Sequence, residues 1–273
     1  MWGDGIGFWD YGYPDIYAAI FAPYGHDDLA AYTGPGPLGR RYRRVPQLCG
    51  DDSREIAGLP IDQIAQAIQP NEVLRTALDD LANALISAAR MIRASCPTQT
   101  AFTAPERLAV MQRRIEAMIK AESAVQQPLG KFYDLLDDEQ EARLNALAED
   151  RRKMSPAKRA TGTPAEGCGA AQSAALQWPA DEIEAKLHPN DTQRAALKML
   201  QDANARAVDI LTAGGCQPED ATTPPARLDA VEGRLEAMQR AVHLVSAALE
   251  GFYATLSDEQ KAQFEAIGQK RTA

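Results

Sequence analysis

Four cysteines, three histidines and 38 acidic side chains are the groups in this 273-residue chain that could do chemistry. The cysteines are the most ordered of them. Cys49 and Cys168 are each followed by Gly; Cys96 lies 47 residues after Cys49, and Cys216 lies 48 after Cys168. Nearly equal spacing in two places reads as one disulfide per repeat, Cys49–Cys96 and Cys168–Cys216, out of three possible pairings. The alternative is four buried reduced thiols in a reducing compartment. Zinc is a poorer reading, because no CxxC or Cys/His cluster is present. His26, His188 and His243 are far apart, and His243 has Gln239 and Ala247 one turn away, so no pair of helical ligands forms. No Ser-His-Asp order with a supporting motif occurs, and no glycine-rich phosphate loop. The acidic runs Asp51-Asp52, Asp79-Asp80 and Asp137-Asp138-Glu139 read as solvated faces or helix starts. The expectation is therefore a protein that is not an enzyme, with no cofactor and no metal.

Charge and composition narrow the partners. The net charge is −9 and the pI about 5.0. An acidic chain lacks the basic face that phosphate binding needs, so nucleic acid is not expected as a partner. No run of 18 apolar residues is present, so no membrane-spanning helix is expected. Met1-Trp2-Gly3-Asp4 does not read as the start of a signal peptide.

The elements that would position these groups come in two sets. Residues 1–45 stand apart as an irregular arm: ten of the 17 aromatic residues fall there, among them Trp9, Tyr13, Tyr17 and Phe21, with dense Gly and Pro and a basic end at Arg40–Arg44. This arm reads as packed on a helical body, or as an interfacial segment with aromatics at headgroup level. Residues 46–153 form a first helical repeat, 154–166 a polar, Pro-marked linker, and 167–273 a second repeat. Leu59-Pro60 recurs as Trp178-Pro179, and Pro70-Asn71 as Pro189-Asn190. Each repeat reads as a short helix, a helix, a long helix and a short helix. In repeat one Leu74, Leu78, Leu81, Leu85, Ala88 and Ile92 make a helical stripe. The long helix follows with Leu108, Met111, Ile115, Met118, Val125, Leu129, Phe132 and Leu136 on one seam. Pro128 is expected to kink it. The missing seam position is Glu122, which reads as a carboxylate snorkelling to solvent, or as a polar spot in a binding surface. In repeat two the seam Leu228, Val231, Leu235, Met238, Val242, Val245, Leu249, Phe252 and Leu256 has no gap.

One stretch occurs twice: Phe132–Gln140 and Phe252–Gln260. In the second copy Ser257 can cap a helix by accepting from the backbone N–H of Gln260, while the Gln260 side chain accepts from the Ser257 N–H. Leu256 is placed for a hydrophobic staple with Phe264. Asp137 and Gln140, after Leu136, repeat this logic. Asn190 and Gln193 form a third such box; in the matching place of repeat one, Asn71 is followed by Leu74 rather than Gln, so half the box remains.

These residues also carry a resemblance. Leu256-Ser257-Asp258-Glu259-Gln260 and Leu136-Asp137-Asp138-Glu139-Gln140 are similar to the LTxxQ motif, and Leu187–Gln193 resembles its looser copy. The family is that of the Spy/CpxP-like periplasmic stress chaperones, some of whose relatives are linked to metal stress. The resemblance implies an all-α fold: two tandem four-helix Spy-like units forming an internal pseudo-dimer, where known cradles use two chains. It implies an ATP-independent, periplasmic holdase or stress adaptor that holds unfolded or partly folded proteins on an amphipathic helical cradle. Both repeats are acidic, unlike the basic holding faces common in the family. Candidate client or partner contacts are Trp9, Tyr13, Tyr17, Phe21, Glu122, Phe132 and Phe252. Two other readings stand beside this one: a structural protein docking through its aromatic arm to a membrane, filament or larger complex, and a metal-stress sensing module.

Overall fold

The computed structural model describes residues 61–96, 101–154, 180–215 and 223–269. The aromatic arm with Trp9, Tyr13, Tyr17 and Phe21, the cysteines Cys49, Cys168 and Cys216, and the linker lie outside these residues. Among the described residues there are eight helices and no strand. In repeat one they are α1 (Ile61–Ile68), α2 (Glu72–Ala94), α3 (Ala104–Asp134) and α4 (Asp138–Met154); in repeat two, α5 (Ala180–Leu187), α6 (Asp191–Gly215), α7 (Pro224–Ala254) and α8 (Asp258–Gln269). The order short, medium, long, short is thus made twice, as the periodicity predicts.

The boundaries follow from local chemistry. Asn71 caps α2 by accepting from Leu74 N at 2.9 Å. Thr103 opens α3 with a further capping box: Glu106 Oε2 accepts from Thr103 N at 3.1 Å and from Phe102 N at 3.0 Å. Thr103-x-x-Glu106 is an ordinary capping-box signature. Its counterpart Thr223 caps α7 but has Ala226 at the reciprocal position, so only one half forms. Helices α1 and α5 are each followed by a residue in the left-handed region, Gln69 (φ 47°) and His188 (φ 44°). Each is followed by Pro, which cannot extend the helix inward. Pro128 does not end α3, which runs from Ala104 to Asp134 through it.

The core forms where the stripes meet. Helix α2 packs on α3, α6 on α7, and α3 on α7, so the two long helices join the repeats. They run antiparallel: Gln126, late in α3, donates to Asp229 near the start of α7 (3.2 Å), while Ala104 at the start of α3 reaches Glu265 beyond the end of α7. All nine seam residues of repeat two, from Leu228 to Leu256, are buried. In repeat one Leu108, Met111, Ile115, Met118, Val125, Phe132 and Leu136 are buried and Leu129 is partly so. Burying a Leu, Val, Met or Phe side chain contributes about 1.5–3 kcal/mol each. The two seams are therefore the main source of cohesion, within repeats and between them.

Candidate functional site: the motif locks and the contact between repeats

The three boxes read from the sequence all form. Ser257 N donates to Gln260 Oε1 (3.0 Å) and Gln260 N to Ser257 Oγ (3.2 Å). Asp137 N donates to Gln140 Oε1 (3.2 Å) and Gln140 N to Asp137 Oδ1 (2.8 Å). Asn190 N donates to Gln193 Oε1 (3.0 Å) and Gln193 N to Asn190 Oδ1 (2.9 Å). Beneath the capping, each glutamine spends its amide on a distant chain segment. Gln260 Nε2 donates to the carbonyl of Leu187, the last residue of α5, at 2.9 Å; Gln140 Nε2 donates to the carbonyl of Ile68, the last residue of α1, at 2.9 Å. The motif thus satisfies a carbonyl that the end of the short first helix would otherwise leave unpaired. It holds the first and last helices of each repeat together. In repeat two Gln193 adds a second tie, donating to Thr255 O at 2.8 Å. Leu136 and Leu256, just before the boxes, are both buried, as is Phe264, whose ring meets Phe252 edge-on at 5.8 Å.

A second site joins the repeats at the start of α3. Arg107 is almost wholly buried and pairs with Glu265 of α8 at 2.5 Å, while its other terminal nitrogen donates to Phe102 O at 2.6 Å. Glu265 also accepts from Ala104 N at 2.7 Å. A carboxylate at a helix N-terminus is favoured by the helix dipole as well as by the guanidinium. Burial raises the Tyr253 hydroxyl to about 12, with the Glu265 charge adding to the effect. Further along α3, burial lowers Arg114 to about 10; its guanidinium lies 3.4 Å from the sulfur of Cys96. Cys96 is held in a disulfide, and its partner lies outside the described residues.

Glu122 corrects an expectation. The seam carboxylate is not solvated: it is 0 % exposed, between α3 and α7. Neither oxygen has a hydrogen-bond partner, and the neighbouring Ser123 hydroxyl donates instead to Ile119 O (3.0 Å). Burial pushes its pKa up to about 7, helped by the like charges of Glu232, Asp229 and Glu236 on α7. In sequence a gap in an apolar stripe looks like an exit to solvent, and only the position of α7 closes that exit. Phe132 and Phe252 are corrected too. As candidate client contacts they would need to be open, but they are 2 % and 0 % exposed in the core. Their seam positions already pointed inward. Large apolar side chains that do reach the surface are Val73, Ile86, Phe102, Leu135 and Met199.

Among the described residues no group of three or more His, Cys, Asp or Glu side chains is arranged to hold a metal ion. No helix among them is long and apolar enough to cross a membrane.

Two successive all-helical units, each locked by the same glutamine box, define a duplicated helical repeat protein. The LTXXQ motif family model ("LTXXQ motif family protein") matches residues 56–148 and 175–268, most of the chain in two copies, and the chain belongs to that family. No curated protein and no solved structure matches it.

Proposed function

We propose that the protein is an ATP-independent chaperone or stress adaptor of the periplasm that holds unfolding polypeptides on its helical surface. The observation that carries this reading is the family match over both repeats, since this is the family of the Spy/CpxP-like stress proteins. The exposed apolar side chains Val73, Phe102, Leu135 and Met199 fit transient contact with a partly unfolded chain. The disulfide at Cys96 fits an oxidising compartment. In this reading its partner is Cys49, and Cys168 pairs with Cys216. The working surface is the exterior of the repeats, because the seams are occupied by one another. The test is aggregation of a thermally denaturing enzyme, followed by light scattering with the protein at stoichiometric ratio and no nucleotide. Suppression supports the reading. Scattering unchanged across a wide concentration range rejects it.

The crowding of ten aromatic residues into positions 1–45 favours a second reading, docking through the arm to a membrane, filament or larger complex. Removing residues 1–45 separates the two. A holdase keeps its suppression of aggregation, whereas an arm-docked protein loses its retention on the assembly or membrane.

A further inference from the structure

Glu122 is the one seam position of repeat one that is not apolar, and its counterpart in repeat two is Val242. Both are 0 % exposed. A buried carboxylate without a hydrogen-bond partner is tolerated when neutral and strongly disfavoured when charged. The groups facing it deepen that preference. Helix α7 presents Asp229, Glu232 and Glu236, spaced three and four residues apart and hence on one side of that helix. Its own helix contributes only the Ser123 hydroxyl, already committed to Ile119 O. Helix α2, also packed on α3, buries only Leu74, Leu78, Leu81, Ala88 and Ile92.

We propose that the α3–α7 contact between the two repeats is a proton-operated clasp, closed while Glu122 is neutral and loosened when it ionises. Ionisation places a fourth negative charge against three on α7, offset only by the nearby Ser123 hydroxyl, which is bonded to Ile119 O. Separation of the two helices brings Glu122 to water and leaves the seam around Met118, Val125, Val231 and Val242 open. Each repeat keeps its own glutamine lock, which lies within the repeat and does not involve Glu122. The inference concerns the joint between repeats and holds whether or not the protein is a holdase.

The direction of the effect follows from the proton balance. The closed form holds the proton more tightly, with a pKa of about 7 against 4.5 for the solvated group. Closure is therefore fully favoured below about 4.5, weakens as pH rises toward 7 and is constant above it. Between pH 5 and 8 the population of the open form should rise on the order of fiftyfold.

Hydrogen exchange of the full-length oxidised protein tests this. Peptides from residues 104–134 and 224–254 are followed at pH 5 and 8, with rates corrected for intrinsic exchange. In the native protein their protection should fall by one to two orders of magnitude, with little change in α1 and α5. In Glu122→Gln, which copies the neutral acid, protection should be the same at both pH values. An equal pH response in Glu122→Gln overturns the proposal, and so does a uniform loss over all helices. If that variant does not fold, the carbon-13 titration of the Glu122 carboxyl in the native protein decides: a midpoint near 7 supports the clasp and one below 5 rejects it.

Discussion

The side chains of Gln193 and Gln260 face each other and exchange hydrogen bonds: Gln193 Nε2 lies 2.8 Å from Gln260 Oε1, and Gln260 Nε2 lies 3.1 Å from Gln193 Oε1. Two capping boxes 67 residues apart are thereby joined into one network. Each amide also bonds a carbonyl, at Thr255 and Leu187, so the network is fully engaged. In repeat one the partner of Gln140 is replaced by Leu74, which is buried in the core. A double-mutant cycle on Gln193→Ala and Gln260→Ala should show a coupling of about 1 kcal/mol, because a buried amide left unpaired is costly. The matching cycle on Leu74→Ala and Gln140→Ala should show a smaller, packing-derived coupling. Urea unfolding measures both.

The pairing of Arg107 with Glu265 gives a second expectation. Glu265→Ala removes the carboxylate that pairs with the buried Arg107 guanidinium and should cost about 3 kcal/mol. Replacing both residues, as Arg107→Met with Glu265→Leu, should cost less than the single change, since no charge is then stranded. Chemical denaturation of the three variants checks the order.

Glu122→Val copies the residue that repeat two carries at this position. The folded-state pKa of Glu122 is raised, so native stability is lost as pH rises from about 4.5 to about 7. The valine variant should therefore gain over the native protein on the order of 3 kcal/mol above pH 7, beyond any gain from apolar packing, and that pH-dependent part should vanish near pH 4. Thermal or urea unfolding across this range reads the difference directly.

Gln69 and His188 sit at equivalent helix ends with φ of 47° and 44°. A side chain in that region crowds its own carbonyl, and glycine does not. Gln69→Gly and His188→Gly should each stabilise by up to about 1 kcal/mol, net of the greater freedom of glycine in the unfolded chain. A loss of stability in either would mean that the native side chain makes a contact worth more than the backbone strain.

Much of the fold was legible because its signals are local. Capping boxes are written within four residues and seams within a heptad, so Ser257 with Gln260, or Leu228 through Leu256, could be read without tertiary knowledge. Contacts set by packing were not. Nothing around Arg107 points to Glu265, 158 residues away, and nothing around Gln193 points to Gln260. Glu122 reads as snorkelling to solvent or as a polar spot in a binding surface, because local sequence shows which face a residue occupies and not what covers that face. Phe132 and Phe252 show the reverse error: their seam register placed them inside, and aromatic character alone drew them outward into a list of contacts.

The exchange of Glu122 for Val242 has a consequence for stoichiometry. A homodimer built from two copies of repeat one would bury two such carboxylates at its joint, and one built from repeat two would bury none. Joining the halves in a single chain lets them differ, so the joint carries one acid. Its titration is then a one-proton event per molecule, with a single midpoint rather than the two separated steps of a coupled pair.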